Sequence, residues 1–229
     1  MTHWRTYVFI INLLLTVSAF AQPQDTTGRN TGFSSWIKET HLRLGYDLGK
    51  KIYSKLNGGN MDAAYLNLGY RNHILELFAG KEQMPYVHPT YTFVTTGSYY
   101  KIGYAYNFYE NWGHMHNEIT LGLRYGNAGF SYDLRRISYA APNDIMSGYE
   151  WTGHRQYNGL HAGWMEVSAT LKAEIFHGFY LDLFLSGKRL LGGSKPDGFD
   201  LLYVPGFFRT NVSGFGFGLG YGVSYRFGY

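Results

Sequence analysis

Ionisable residues set between apolar ones offer this chain its first chemistry. Arg43, Asp47, Arg71, Glu76, Lys101, Glu118, Arg124, Glu166, Lys172, Glu174, Asp182 and Arg226 lie in segments that alternate with a period of two. Successive strand side chains point to opposite faces, so these charges are expected on one face and their apolar neighbours on the other. Carboxylates among cations could pair structurally, line a narrow proton or ion path, or work as a general acid–base pair. The paired network is the preferred reading: unpaired buried charges are costly, and such clusters are not specific to catalysis. The chain has no cysteine, which excludes disulfides, thiolate catalysis and Cys-based metal sites.

The histidines raise a second chemistry. His41, His73, His114, His116 and His177 fall near one predicted rim, and His88, His154 and His161 in or beside the opposite loops. His114-Met115-His116 would put two imidazoles on one side of an extended segment, where a transition metal could bind. Histidines at strand ends more often sit in a hydrated interface, so neither a metal nor a cofactor is expected. Asp144, Ser147, Glu150 and His154 share the longest predicted loop and form the group a lipid-modifying enzyme could use. Only fold analogy speaks for it, so catalytic residues stay unassigned and a role without catalysis is preferred.

The elements that position these residues are strands. The final segment alternates Phe215, Phe217, Leu219, Tyr221, Val223, Tyr225, Phe227 and Tyr229 with a face made mostly of glycine plus Arg226. A glycine face would be a poor water-facing surface, but inside a narrow barrel it clears space for bulky neighbours. The same rule predicts eight strands, at 40–49, 61–71, 73–81, 97–109, 116–126, 163–176, 178–187 and 213–229. Links near Asn72, Glu110 to Met115 and His177-Gly178 are short, and they alternate with longer polar loops, the longest at 127–162 and 188–212. Short turns on one side and long loops on the other are the mark of a transmembrane barrel. A soluble lipocalin-like barrel would turn its apolar residues inward instead. The 22 tyrosines, 30 glycines and 16% charged residues fit interfacial rings and a crowded interior. The expected fold is therefore all-β, an eight-stranded antiparallel transmembrane β-barrel over 39–229. An eight-stranded barrel is wide enough only for its own side chains, so the lumen is expected to be filled.

Arg5, the apolar run from Tyr7 to Val17 and Ser18-Ala19-Phe20-Ala21 read as a cleaved signal peptide, 1–21, followed by a polar periplasmic leader, 22–38. The expected location is therefore the outer membrane of a Gram-negative bacterium. Its terminal aromatic matches the pattern that such barrels present to their insertion machinery. Lys50, Lys51, Lys55, Arg135, Arg136, Arg155, Lys188, Arg189, Lys195 and Arg209 then map to extracellular ends or loops. At that level they could neutralise lipopolysaccharide phosphates, as a generic anionic-leaflet rim more than as a dedicated receptor. A net charge of +4 on an exported chain does not point to nucleic acid, and no specific protein partner can be named.

Several segments resemble a family of outer-membrane barrels known as a domain of unknown function. They include Gly97-Ser98-Tyr99-Tyr100-Lys101-Ile102-Gly103, Asn107 to Trp112, Gly122-Leu123-Arg124-Tyr125-Gly126, Gly159 to Glu166 and, most distinctively, Lys195-Pro196-Asp197-Gly198-Phe199-Asp200 running on to Phe207. The resemblance implies the barrel fold from the first strand to the C-terminus and carries no activity or catalytic residues to transfer. Three roles remain open: a structural or surface-interaction barrel, a lipid A-modifying enzyme, and a narrow channel.

Overall fold

The computed structural model describes residues 40–110, 116–139, 149–194, 200–210 and 213–227, without the side chains of 138, 139 and 149–151. The expected signal peptide and leader, His114 and Tyr229 lie outside the described residues. Alternation along the chain produces β1 (Thr40–Tyr46), β2 (Asn60–Tyr70), β3 (His73–His88), β4 (Tyr91–Asn107), β5 (Glu118–Tyr139), β6 (Tyr149–Phe176), β7 (Phe179–Gly193) and β10 (Phe215–Phe227). These eight strands close into one barrel in the order β1-β10-β7-β6-β5-β4-β3-β2. Every neighbouring pair is antiparallel, including the β1–β10 closure that sets Arg43 opposite Arg226.

Tight reversals at one end, the turn end, join β2 to β3 through Arg71-Asn72 and β6 to β7 through His177-Gly178. Arg71 (φ 53°) and Gly178 (φ 78°) supply the left-handed backbone these reversals need. The other end, the loop end, departs from the sequence expectation. β3 and β4 run on until only Pro89 and Thr90 separate them, and β5, β6 and β7 likewise extend far into the predicted loops. Alternation continues through these extensions, shifted at irregularities in the β4–β5 ladder between Thr92 and Phe93 and in the β5–β6 ladder past Phe130 and past Leu134, and its polarity reverses. Met84, Phe93, Phe130, Tyr132, Leu134 and Leu160 face in, while Gln83, Thr96, Arg135, Gln156 and Asn158 face out. Outward apolar residues mark the predicted strands, so the prediction stops where they stop.

Two elements interrupt the strands. Asp47 ends β1 at the lumen cavity but serves the backbone and not the ion-pair network: its carboxylate accepts from the Lys50 amide (3.0 Å) and caps α1 (Leu48–Leu56). In the predicted loop 188–212, a small hairpin of β8 (Tyr203–Val204) and β9 (Phe208–Arg209) folds back into the barrel mouth. Val204 and Phe207 on this plug are completely buried. Gly206 (φ 80°) turns the plug's backbone so close to the Tyr99 ring that a side chain there would collide with it.

Candidate functional site

The lumen is the site that the ladders build, and charge fills it in tiers. Nearest the turn end, Arg43 grips Glu118 with both terminal nitrogens, at 2.7 and 2.9 Å, and its guanidinium lies over the Tyr180 ring at 4.4 Å. Lys172 stands 3.4 Å from the same carboxylate and His41 is also 3.4 Å away. Asp182 accepts from the Tyr65 hydroxyl and from Ser224 (2.7 Å). In the next tier Arg124 forks onto Glu76 at 2.7 and 3.0 Å and covers the Phe78 ring. Lys101 pairs with Glu166 at 2.9 Å, which also accepts from the Trp164 indole at 2.8 Å. Bidentate guanidinium–carboxylate pairing fixes geometry as well as charge, so these tiers hold opposite walls in register.

At the mouth, Glu82 accepts from Lys50 (2.5 Å) and from the Tyr203 hydroxyl of the plug (2.8 Å). Burial first, and then the Glu82 charge, raise the Tyr203 phenol well above its ordinary range, keeping it a donor. Lys188 donates to the plug carbonyls of Gly206 (2.8 Å) and Phe207 (3.3 Å), and Tyr132 donates to that of Tyr203 (2.5 Å). Phe207 meets the Trp164 ring edge-on at 6.0 Å. Between this plug and the charge tiers a cavity of about 340 Å³ remains.

The sequence-derived charges separate into groups. Arg43, Glu118, Lys172, Asp182, Arg124, Glu76, Lys101 and Glu166 meet in the lumen. Arg71 lies instead on the exposed turn beside Tyr70, and Glu174 tethers the turn end through the amides of His116 (2.7 Å) and Gly178 (3.0 Å). Arg226 is half-buried below the network, and its side chain reaches Tyr180. Of the residues expected at the outer rim, Lys51 pairs with Asp62 (2.7 Å), Arg135 with Asp133 (3.1 Å), and Arg189 lies over Phe215. Arg136 and Arg155 are exposed there, whereas Lys195 lies outside the described residues.

Lys50 and Lys188 correct the rim expectation, because both point inward. Lys50 occupies the lumen side of α1, and Lys188 shares the parity of Asp182 and Phe184 once β7 continues past 187. Glu82, Tyr99 and Tyr203 join the network from segments expected to be loops or lacking a charge. The one available signal was the continuing parity, with Glu82 two residues beyond Gly80 on a face already carrying Glu76.

The other chemistries find less support in the geometry. Among the described residues no group of three or more His, Asp or Glu side chains could hold a metal ion. Asp144 and Ser147 lie outside the described residues, as does the Glu150 side chain, and His154 is 3.2 Å from Asp133. Sequence reading missed a contact between Ser194 and His161. The Ser194 hydroxyl lies 2.7 Å from Nδ1 and 3.4 Å from Nε2, so one hydroxyl occupies both ring nitrogens, and among the described residues no third group orients the ring.

Among solved structures, the chain is similar to the N-terminal β-barrel domain of Pseudomonas aeruginosa OprF, with 15% identity and a TM-score of 0.36 over 82% of this chain and 96% of that one. It is also similar to a major outer membrane protein from Thermus thermophilus, with 12% identity and a TM-score of 0.44 over 82% and 98% of the two chains. No curated protein matches it. The family described as "Domain of unknown function (DUF6048)" matches residues 4–228. This chain belongs to the DUF6048 family.

Proposed function

We propose that this protein is an integral outer-membrane barrel with a closed lumen, acting as a structural and surface-interaction element without through-flow. The observation that carries the reading is the inverted polarity of the turn-side barrel. Leu44, Leu77, Ile102, Leu121, Leu183 and Leu219 are among many large apolar side chains exposed on its outside, while Arg43, Lys172 and Asp182 are fully buried inside. A water-soluble protein rarely exposes so much contiguous apolar surface, whereas lipid would cover it. Aromatic rings cluster at the turn end, with Phe176 and Phe179 at 4.6 Å and Tyr225 and Phe227 at 4.8 Å, as interfacial girdles do.

A barrel plugged by paired charges and by Phe207 favours closure over conduction. Lys51, Arg135, Arg136, Arg155 and Arg189 project beside or above the apolar band, at a level where lipopolysaccharide phosphates would lie. Separation of cell membranes followed by electrophoresis with and without boiling tests the location. The protein should fractionate with the outer membrane and migrate as a compact species until boiled. Recovery in the soluble periplasmic fraction would sink the reading. Discrete current steps from the refolded barrel in a planar bilayer would sink the closed lumen.

A further inference from the structure

Among the described residues, the strand ladder is incomplete on the loop side of one seam. β1 pairs with β10 only from Leu42 opposite Phe227 to Tyr46 opposite Val223. Beyond that point β10 continues through Gly222 to Phe215, held by β7 on one side and, among the described residues, by no strand on the other. The chain that would have continued β1 becomes α1 at Asp47, and α1 packs on β10 without strand pairing, its Gly49 pressed against the Tyr221 backbone while Phe217 and Leu219 beyond it stay exposed. An unpaired strand edge is tolerated at membrane depth only where it lines a cavity or is covered by protein. Exposure marks the same place: Phe217 is 88% and Leu219 75% exposed, against 55% for Leu185, the β7 partner of Leu219.

The cavity of about 340 Å³ lies directly behind this edge, and its lining runs from Gly49 and Lys50 of α1 to Gly218 and Leu219 of β10. Four cations face it, namely Lys50, Lys101, Arg124 and Lys188, with Asp47 as the sole carboxylate in the lining. The partners Glu76, Glu82 and Glu166 support these cations from outside the lining. Lys188 has no carboxylate within hydrogen-bond reach among the described residues, since Glu166 is 3.7 Å away. Phe78, Tyr99 and Phe184 supply apolar walls. The volume falls within the range of small-molecule sites.

We infer that the seam between α1 and β10 is a lateral portal, through which the cavity takes the anionic head of a membrane amphiphile, a phosphate or carboxylate carrying an acyl or alkyl chain. The head would meet the cations while its chain lies along Phe217 and Leu219 in lipid. Simple aqueous anions lack the second half of that fit, and uncharged amphiphiles lack the first. The inference rests on the membrane reading above.

The test uses the full barrel refolded into phosphatidylcholine vesicles, with folding scored by the unboiled gel shift. Dodecyl phosphate is the probe, titrated against protein-free vesicles, with dodecanol and inorganic phosphate as controls. An added Cβ at Gly220 would sit 3.5 Å from Phe184 and 3.7 Å from Asp47, so alanine fits there and a longer side chain enters the cavity. Gly220→Leu should weaken dodecyl phosphate at least tenfold, Gly220→Ala should change it less than threefold, and dodecanol should bind at least tenfold more weakly. Equal binding of dodecanol, unchanged affinity in Gly220→Leu, or displacement by inorganic phosphate would overturn the inference. Because the chain lacks cysteine, Gly220→Cys gives a second readout that does not depend on the leucine variant folding. Dodecyl phosphate should slow its alkylation by a maleimide, and absence of protection would count against the portal. A barrel that inserts but fails these assays leaves the membrane reading intact, whereas failure to insert overturns both.

Discussion

The two halves of the barrel solve opposite problems with one backbone. On the turn side, Leu121 and Leu183 point out while Arg124 and Asp182 point in, and the interior is held by bidentate ion pairs. On the loop side Phe130, Tyr132 and Leu160 point in while Ser131, Asn158 and His161 face outward, and a register shift in the β5–β6 ladder between Phe130 and Tyr132 exchanges the faces of β6 beyond Leu160. The change occurs along single strands, between Tyr100 and Ser98 on β4 and between Tyr125 and Asn127 on β5. A strand ladder is indifferent to which face is apolar; the surrounding solvent decides that. On the membrane reading proposed above, the reversal marks the level at which lipid would give way to water, and it accounts for the ordinary core of plug, Trp164 and Phe93 at the mouth.

The sharpest way to break this contrast is to unbalance the charged interior. Arg124→Met leaves Glu76 buried without its partner and should cost about 3–5 kcal/mol, while Arg124→Met combined with Glu76→Met should recover most of that loss. Urea unfolding of the vesicle-inserted barrel measures both variants, and equal costs would show that the pair is not coupled. A second test moves one charge between outer surfaces. Leu121→Arg on the apolar band should destabilise by about 2–4 kcal/mol, and Gln156→Arg on the loop-side surface should stay within about 0.5 kcal/mol. Similar penalties for the two would erase the proposed boundary.

The smallest effect belongs to the outer ion pair. The hydrogen bond from Lys51, joined by that from Tyr46, holds the Asp62 carboxyl below its ordinary value of 3.8. Its folded-state pKa is depressed, so its contribution is present above the unfolded value and disappears as pH falls through the folded one. Asp62 is largely exposed, and screening limits the contribution to less than about 1 kcal/mol. Asp62→Asn should therefore cost less than about 1 kcal/mol at pH 7, and the difference from the parent should vanish as pH falls below about 4. A large loss at neutral pH would mean that this pair behaves like those in the lumen.

How much was legible in the sequence followed from which signal each region carries. Leu42, Leu44 and Tyr46, or Leu181, Leu183 and Leu185, announce a strand because apolar residues recur on one face against charges or glycine on the other. Glu76, Lys101, Arg124 and Glu166 could be assigned inward on the same ground. The extensions 82–88, 91–96 and 127–137 read as loops because their outward residues are polar, although alternation persists in them apart from the register shifts between Thr92 and Phe93 and past Phe130 and Leu134. α1 was hidden by the alternation of β1, which in the sequence runs on through Asp47 to Gly49 but in the fold ends where Asp47 accepts the Lys50 amide.

By itself, the sequence determined the eight barrel strands, their antiparallel closure and the inward parity of Arg43, Glu76, Lys101, Glu118, Arg124, Glu166, Lys172 and Asp182, because a two-residue period is a local property of an extended chain. Only the tertiary structure decided which charges meet, since Arg43 finds Glu118 and Arg124 finds Glu76 across strands far apart in the chain. It also decided that Lys50 and Lys188 turn inward, that the hairpin of β8 and β9 plugs the mouth, and that β10 beyond Val223 has α1 and, among the described residues, no strand on its free side, beside a cavity. Those outcomes depend on how far each strand runs before it bends and on which distant partners it meets, and a local two-residue period records neither.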